Sequence, residues 1–189
     1  MALILASGSS IRRQMLEQAG IDHRVDRPNV DESALKADGG DALALAEAKA
    51  LSVSNQNPDY WVIGSDSMVS VDGRQFDKPA DRDQAAEHLR FFSGKSMILT
   101  SAVALARGGR IDWSVGDQAR LQVRSLSEAF VQSYLDAEWP EVGHCVGVFR
   151  MEGRGVHLFD RVEGSYYTIL GMPLLPLLGA LRDRGLLAA

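Results

Sequence analysis

A single cysteine, Cys145, stands in the 189 residues, so no intrachain disulfide framework forms and a tetrahedral cysteine zinc site is excluded. This scarcity fits a reducing, cytoplasmic setting. No apolar run approaches the roughly 20 residues that cross a bilayer, and the opening residues lack the basic segment and long apolar stretch of an export signal. A soluble chain with no membrane partner is expected. Gln-rich, Pro-rich and repeated tracts are absent, which leaves no stretch that composition assigns to disorder or a fibrous repeat. Positive charge is in deficit, with 20 Lys and Arg against 25 Asp and Glu. Polyanion binding relies on clustered, uncompensated cations, so no nucleic-acid partner is expected; a small anion in a local basic pocket is still compatible with the charge balance. The four histidines, His23, His88, His144 and His157, show no ligand spacing, so a histidine metal site is not expected. Neither a G-x-S-x-G elbow nor an activating context for Cys145 is present, which argues against nucleophilic Ser or Cys catalysis.

What is present is ordinary globular material, 46% hydrophobic and 24% charged. Residues 1–189 read most economically as one domain, and two lobes would also fit the length. Residues 3–6 form a short apolar run suited to a buried strand, and the segment from Arg12 to Ala19 places Met15, Leu16 and Ala19 at helical spacing. Residues 22–40 are polar and broken by Pro28, Gly39 and Gly40, so they read as a loop with at most one short strand, a mobile flap being one option. Asp41 is a good N-cap for a helix of strong formers through Leu51. Tyr60 to Ser65 reads as a buried strand, and Asp72-Gly73 as a tight hairpin turn. Capping boxes at Asp81/Gln84 and Ser125/Glu128 predict two further helices. Between them two strands flank Gly108-Gly109, and an amphipathic helix follows Pro173. Strands alternating with helices, but interrupted by hairpins, predict an α/β protein with a mixed sheet.

Several residues carry chemistry. Ser7, Gly8, Ser9 and Ser10 lie between the first strand and a helix start, where free N–H groups and the positive dipole end suit an anion. Arg12 and Arg13 oppose that dipole, so something negative would offset them. The same stretch reads equally well as a solvated turn with two surface arginines. It lacks Walker A spacing. Asp66 is placed just past a buried strand, where a carboxylate can take a proton from water or hold a divalent metal; a turn-capping loop aspartate is the bland reading. Lys78 precedes Pro79, which biases it toward extended backbone. Lys49 lies on an apolar helix, where a lysine by default snorkels to the surface. Glu32 and Asp31 are equal loop acids on chemistry alone. Phe149, Met151 and Phe159 read as core.

Taken in order, "LASGSSIRRQML", "AEAKA", "GSDSMVSVDGRQFDKPAD", "FFSGKSMILTSAVAL" and "EGSYYTILGMPL" resemble the motifs of the Maf family of nucleotide pyrophosphatases, over nearly the whole chain. The resemblance implies a Maf/ITPase-like fold, a mixed twisted sheet with flanking helices and two lobes around a central cleft. It also implies hydrolysis of nucleoside triphosphates to the monophosphate and pyrophosphate, supported by Mg2+ or Mn2+. In that pattern Asp66 is the catalytic acid–base residue, with Lys49 and Lys78 beside it. Ser7, Ser9, Arg12 and Arg13 fall on the phosphate-binding stretch, and Asp66 and Glu32 on the metal. Ile11 and Ser67 occupy positions that differ between the family's dTTP/UTP and 7-methyl-GTP branches, and this chain matches neither branch at them. Glu152 in "FRMEGRG", with "HCVGVF" and "HLFDRVEG", resembles the 7-methyl-GTP branch, and a carboxylate there suits a guanine edge. A rival reading from another class is a non-catalytic nucleotide-binding regulator of septum formation. A homodimer is the default assembly for a soluble enzyme.

Overall fold

The computed structural model describes residues 3–188. Strand β1 (Leu3–Ala6) is buried along its whole length and pairs in parallel with β2 (His23–Asp26) and β3 (Trp61–Val71). Parallel neighbours need crossover connections, here supplied by helices α1 (Ser10–Gln18), α2 (Glu32–Ala37) and α3 (Ala42–Ser54). The sequence places no helix in residues 22–40, and α2 corrects that expectation. Asp31 caps it by accepting from the Ala34 N–H at 2.9 Å, and Gly39 ends it at positive φ, so one short turn forms between the breakers.

The other strands are β4 (Arg74–Phe76), β5 (Ser96–Arg107), β6 (Arg110–Val123) and β7 (Phe159–Glu163). Hydrogen-bonded neighbours run β2-β1-β3-β5-β6-β7, with β4 pairing β3. The sheet is mixed, as the alternation predicts: β3–β4 and β6–β7 are antiparallel. Asp72 and Gly73 both adopt positive φ, the requirement of the tight turn that their types announce.

The chain divides into two compact units, one of Met1–Ser67, Ser101–Asp117 and Tyr166–Ala189, the other of Met68–Thr100 and Gln118–Ser165. In the first, Leu5, Leu16, Ile63, Val103 and Leu105 form a core with helix α7 (Leu174–Asp183), whose Leu177 and Leu181 are fully buried. A short helix α6 (Tyr166–Leu170), absent from the sequence reading, precedes it. In the second, α4 (Arg82–Phe92) is capped by Asp81 and α5 (Glu128–Glu138) by Ser127. The cap therefore falls two residues beyond Ser125. The chain is still tied to the end of α4 at Leu126, whose N–H bonds Ser93 Oγ at 2.8 Å, and Ser127 is the hydroxyl that reaches the Phe130 N–H. Phe149 is buried, while Met151 and Phe159 are only half-buried.

Gly64 sets the spacing in the first unit. A Cβ there would stand 2.2 Å from the Ala46 carbonyl and 2.8 Å from Ala50 Cβ, so only glycine lets the α3 backbone lie this close on β3.

Candidate functional site

Two consequences follow from that close approach. Residues two apart on a strand share a face, so Asp66 projects from β3 on the side where α3 lies, and Lys49, one residue before Ala50, stands beside it. The Lys49 ammonium donates to Asp66 Oδ1 at 2.5 Å and meets Glu32 Oε1 at 2.8 Å. The Lys49 and Asp66 side chains are 8% and 9% exposed, against 46% for Glu32. Lys49 therefore does not snorkel, because two carboxylates hold it inside. Asp66 lies within β3 rather than past its end. The strand continues through it because the flanking hydroxyls find partners, Ser65 Oγ donating to the Ala102 carbonyl at 2.7 Å.

Arg12 turns inward from the first turn of α1. Its Nε donates to the Gly171 carbonyl at 2.9 Å, Nη1 to the Ser65 carbonyl at 2.9 Å and more weakly to Ser7 Oγ at 3.5 Å, and Nη2 to Ser67 Oγ at 3.0 Å. Burial lowers its pKa from the ordinary guanidinium value, and the charges of Asp66 and Glu32 oppose that shift. The misfit between a cation and the helix dipole is thus offset by oxygens of the chain itself. Ser7 is buried and accepts from the Ser9 N–H at 3.1 Å, while Ser9 Oγ caps α1. Ile11 is half-buried beside them. Arg13 separates from this group: its side chain is 56% exposed and pairs with Glu17 one turn on, at 3.4 Å.

The first unit alone therefore gathers a buried acid held by a lysine, a fixed arginine and a hydroxyl loop at a helix start. The family described as "Maf-like protein" matches residues 2–184. The chain belongs to that family. It is 44% identical to a protein named nucleoside triphosphate pyrophosphatase from Nitrobacter hamburgensis, over 98% of this chain and 95% of that one. It is 43% identical to a protein named 7-methyl-GTP pyrophosphatase from Rhizobium meliloti, over 99% and 98%. The Staphylococcus aureus Ham1 protein shares the fold, with a TM-score of 0.51 at 12% identity over 98% of this chain and 100% of that one. No helix among the described residues is long and apolar enough to cross a membrane.

Two predicted site residues of this Maf-like chain, Lys78 and Glu152, belong to the second unit, and both are exposed. There they share the surroundings of Cys145, whose thiol is pushed up to about 11, first by burial and then by Glu152, against the opposing charges of Arg150 and Lys78. A thiol so placed stays protonated near neutrality. Burial also pushes the Tyr134 hydroxyl up; that hydroxyl donates to the Val148 carbonyl at 3.1 Å.

As for a metal, Asp66 and Glu32 offer two carboxylates on one ammonium. Among the described residues no group of three or more His, Cys, Asp or Glu could hold an ion. This donor set fits a hard cation such as Mg2+ or Mn2+ that keeps waters and shares the phosphates of a substrate, rather than a closed cage of protein ligands.

Sequence reasoning passed over Ser65, Ser101, Thr168 and Gly171 of the first unit. Gly171, at φ +109, turns a carbonyl toward Arg12, Ser65 and Ser67. The turn signal Gly-x-Pro at residues 171–173 was available; what that carbonyl would meet was not.

Proposed function

We propose that this Maf-like chain is a nucleoside triphosphate pyrophosphatase, hydrolysing its substrate to the nucleoside monophosphate and pyrophosphate with a divalent cation. The observation that carries the reading is the Lys49–Asp66 pair, 2.5 Å apart and nearly excluded from water. Burying two charges is expensive and is weak evidence for stability, whereas a buried acid held by a lysine beside a hydroxyl loop at a helix start is the kind of cluster that marks a reacting site.

In the proposed reaction water attacks the α-phosphorus in line, its proton passes to Asp66, and the bond to the β-phosphate oxygen breaks to release pyrophosphate. Lys49 occupies Oδ1, so Oδ2 is the oxygen assigned to the water. The N–H groups opening α1, with Ser7 and Ser9, are assigned to phosphate oxygens, and Arg12 to the charge that grows on them. Asp66 and Glu32 would hold the cation, which supplies charge neutralisation and Lewis acidity when bound. Lys78, as a further phosphate cation, and Glu152, as acceptor of the N1–H and amino group of a guanine-type base, enter through the family motifs and through their chemistry. Arg13, paired to Glu17 in solvent, is left out. Ser67 is likewise left out as a base contact, because its hydroxyl is committed to Arg12 on one side and to Ser101 or Gly171 on the other.

A panel of standard and 7-methylated nucleoside triphosphates with Mg2+ or Mn2+, followed by pyrophosphate release, tests this. Purine substrates should turn over, chelation should stop the reaction, and Asp66→Asn should lower the rate by about a hundredfold or more with the fold retained. Tight nucleotide binding without metal-dependent pyrophosphate release would overturn the reading in favour of a regulator.

A further inference from the structure

We infer that Ser101 is a positioning residue for Arg12, and that the hydroxyl relay it anchors decides which way the guanidinium points its remaining N–H. The inference rests on the reading of Arg12 as a phosphate-binding group, and names the machinery that holds it.

Ser101 sits in mid β5 with 0% exposure, where a hydroxyl stays only if it is bonded. Its Oγ lies 2.8 Å from Ser67 Oγ and donates to the Thr168 carbonyl at 2.8 Å. Each hydroxyl owns one proton. Ser101 gives its proton to Thr168, so the proton shared along the Ser67–Ser101 contact comes from Ser67. A hydroxyl whose proton is drawn to Ser101 turns a lone pair, not an O–H, toward Arg12 Nη2, 3.0 Å away. The alternative acceptor for that proton, the Gly171 carbonyl at 3.1 Å, already receives Arg12 Nε at 2.9 Å, and a proton given there likewise leaves a Ser67 lone pair for Arg12 Nη2. Thr168 is itself held in place, its Oγ1 donating to Asp117. Ser101 thus links three things: the hydroxyl that accepts from Arg12, the segment whose carbonyl accepts from Nε, and the strand β5 that carries it.

A guanidinium has five N–H groups in a rigid plane. Gly171, Ser65, Ser7 and Ser67 take four of them, so among the described residues one N–H on Nη2 is left to meet a phosphate oxygen. Because the plane is rigid, fixing Nε, Nη1 and one bond of Nη2 also fixes the direction of the last. Bonds of 2.9 to 3.0 Å at three corners do this, and the corner at Ser67 is the one that depends on another side chain. Ser101 bonds Ser67 and Thr168 rather than Arg12, so its effect passes through that corner.

The test is a double-mutant cycle in pyrophosphate release, with Ser101→Ala, Ser101→Thr, Arg12→Lys and the Ser101→Ala/Arg12→Lys pair, each checked by thermal unfolding. The expected result is that Ser101→Ala lowers kcat/KM by about tenfold at a thermal midpoint that still permits assay. Ser101→Thr, which keeps the hydroxyl, should restore most of it. Arg12→Lys has no planar fork to orient, so adding Ser101→Ala to it should cost little more. Should Ser101→Ala leave too little folded protein, Ser67→Ala cuts the same link from the other side and should show the same insensitivity in the Arg12→Lys background. Full additivity beside a crippled Arg12→Lys overturns the inference but leaves the phosphate reading standing. An Arg12→Lys enzyme as active as the parent overturns both.

Discussion

Lys49 holds two carboxylates at once, and the partners differ in depth: Asp66 is nearly buried, while Glu32 is half exposed. Removing the lysine strands Asp66, because Glu32 can turn to water and Asp66 cannot. Taking one partner from a buried pair costs about 3–5 kcal/mol, most of it the penalty on the charge left behind. Lys49→Met should therefore lower the denaturant midpoint strongly. Lys49→Met/Asp66→Asn, which removes both buried charges, should recover part of the loss. If the double variant is as unstable as the sum of the singles, the pair is not coupled as the 2.5 Å contact implies. The recovered protein should be inactive, since restored packing does not replace a base.

At the scale of elements, the approach of α3 to β3 decides whether Lys49 and Asp66 meet. Gly64 is the residue that permits it, because a Cβ would fall 2.2 Å from the Ala46 carbonyl and 2.6 Å from the Ala50 nitrogen. Neither is the movable end of a side chain. Gly64→Ala must push helix from strand, at a cost of about 1–3 kcal/mol or more, and should lower activity further than the fraction unfolded explains. Gly179 provides the contrast. It lies inside α7, and a Cβ there would meet nothing beyond its own helix within 4 Å. Gly179→Ala should stabilise by about 0.5–1 kcal/mol through helix propensity and leave turnover alone. Equal effects of the two changes, read by thermal unfolding, would refute the close-approach argument.

Across the whole molecule, ionic contacts between helices of the second unit bear on its acid limit. Arg90 grips Glu128 through two bonds of 2.7 and 2.8 Å, joining α4 to the first turn of α5. Hydrogen bonds from Arg90, then Gln132, hold the Glu128 carboxyl down at about 2, from 4.5. A carboxyl depressed on folding adds stability above its ordinary value and loses it as pH falls from 4.5 toward about 2. Exposure of both side chains to solvent and salt screening keep the effect small. The difference in denaturant midpoint between the parent and Glu128→Gln should therefore be largest near neutrality and vanish near the bottom of that range. A difference independent of pH would show that the arginine clasp contributes nothing through charge.

Much of this is readable in the sequence. Local chemistry marks β1, α3 with its Asp41 cap, the Asp72-Gly73 hairpin and α4 with its Asp81 cap, because each depends on neighbours within a few residues. The acid at 66, the lysine at 49 and the hydroxyl loop were visible as residue types in separate motifs. What the chain alone could not show is every contact made across long separations. Whether Lys49 faces solvent or Asp66 depends on how closely α3 lies on β3. Whether Arg12 or its neighbour Arg13 turns inward depends on carbonyls at 65 and 171. The helix at Glu32–Ala37 and the cap at Ser127 are local features as well, set by Asp31, Gly39 and the Ser127 hydroxyl, but masked in the string by neighbouring breakers and a second serine. Propensity and turn chemistry act over a few residues, so sequence carries them; burial and charge pairing act between residues 17 to 159 positions apart, so only the folded chain decides them.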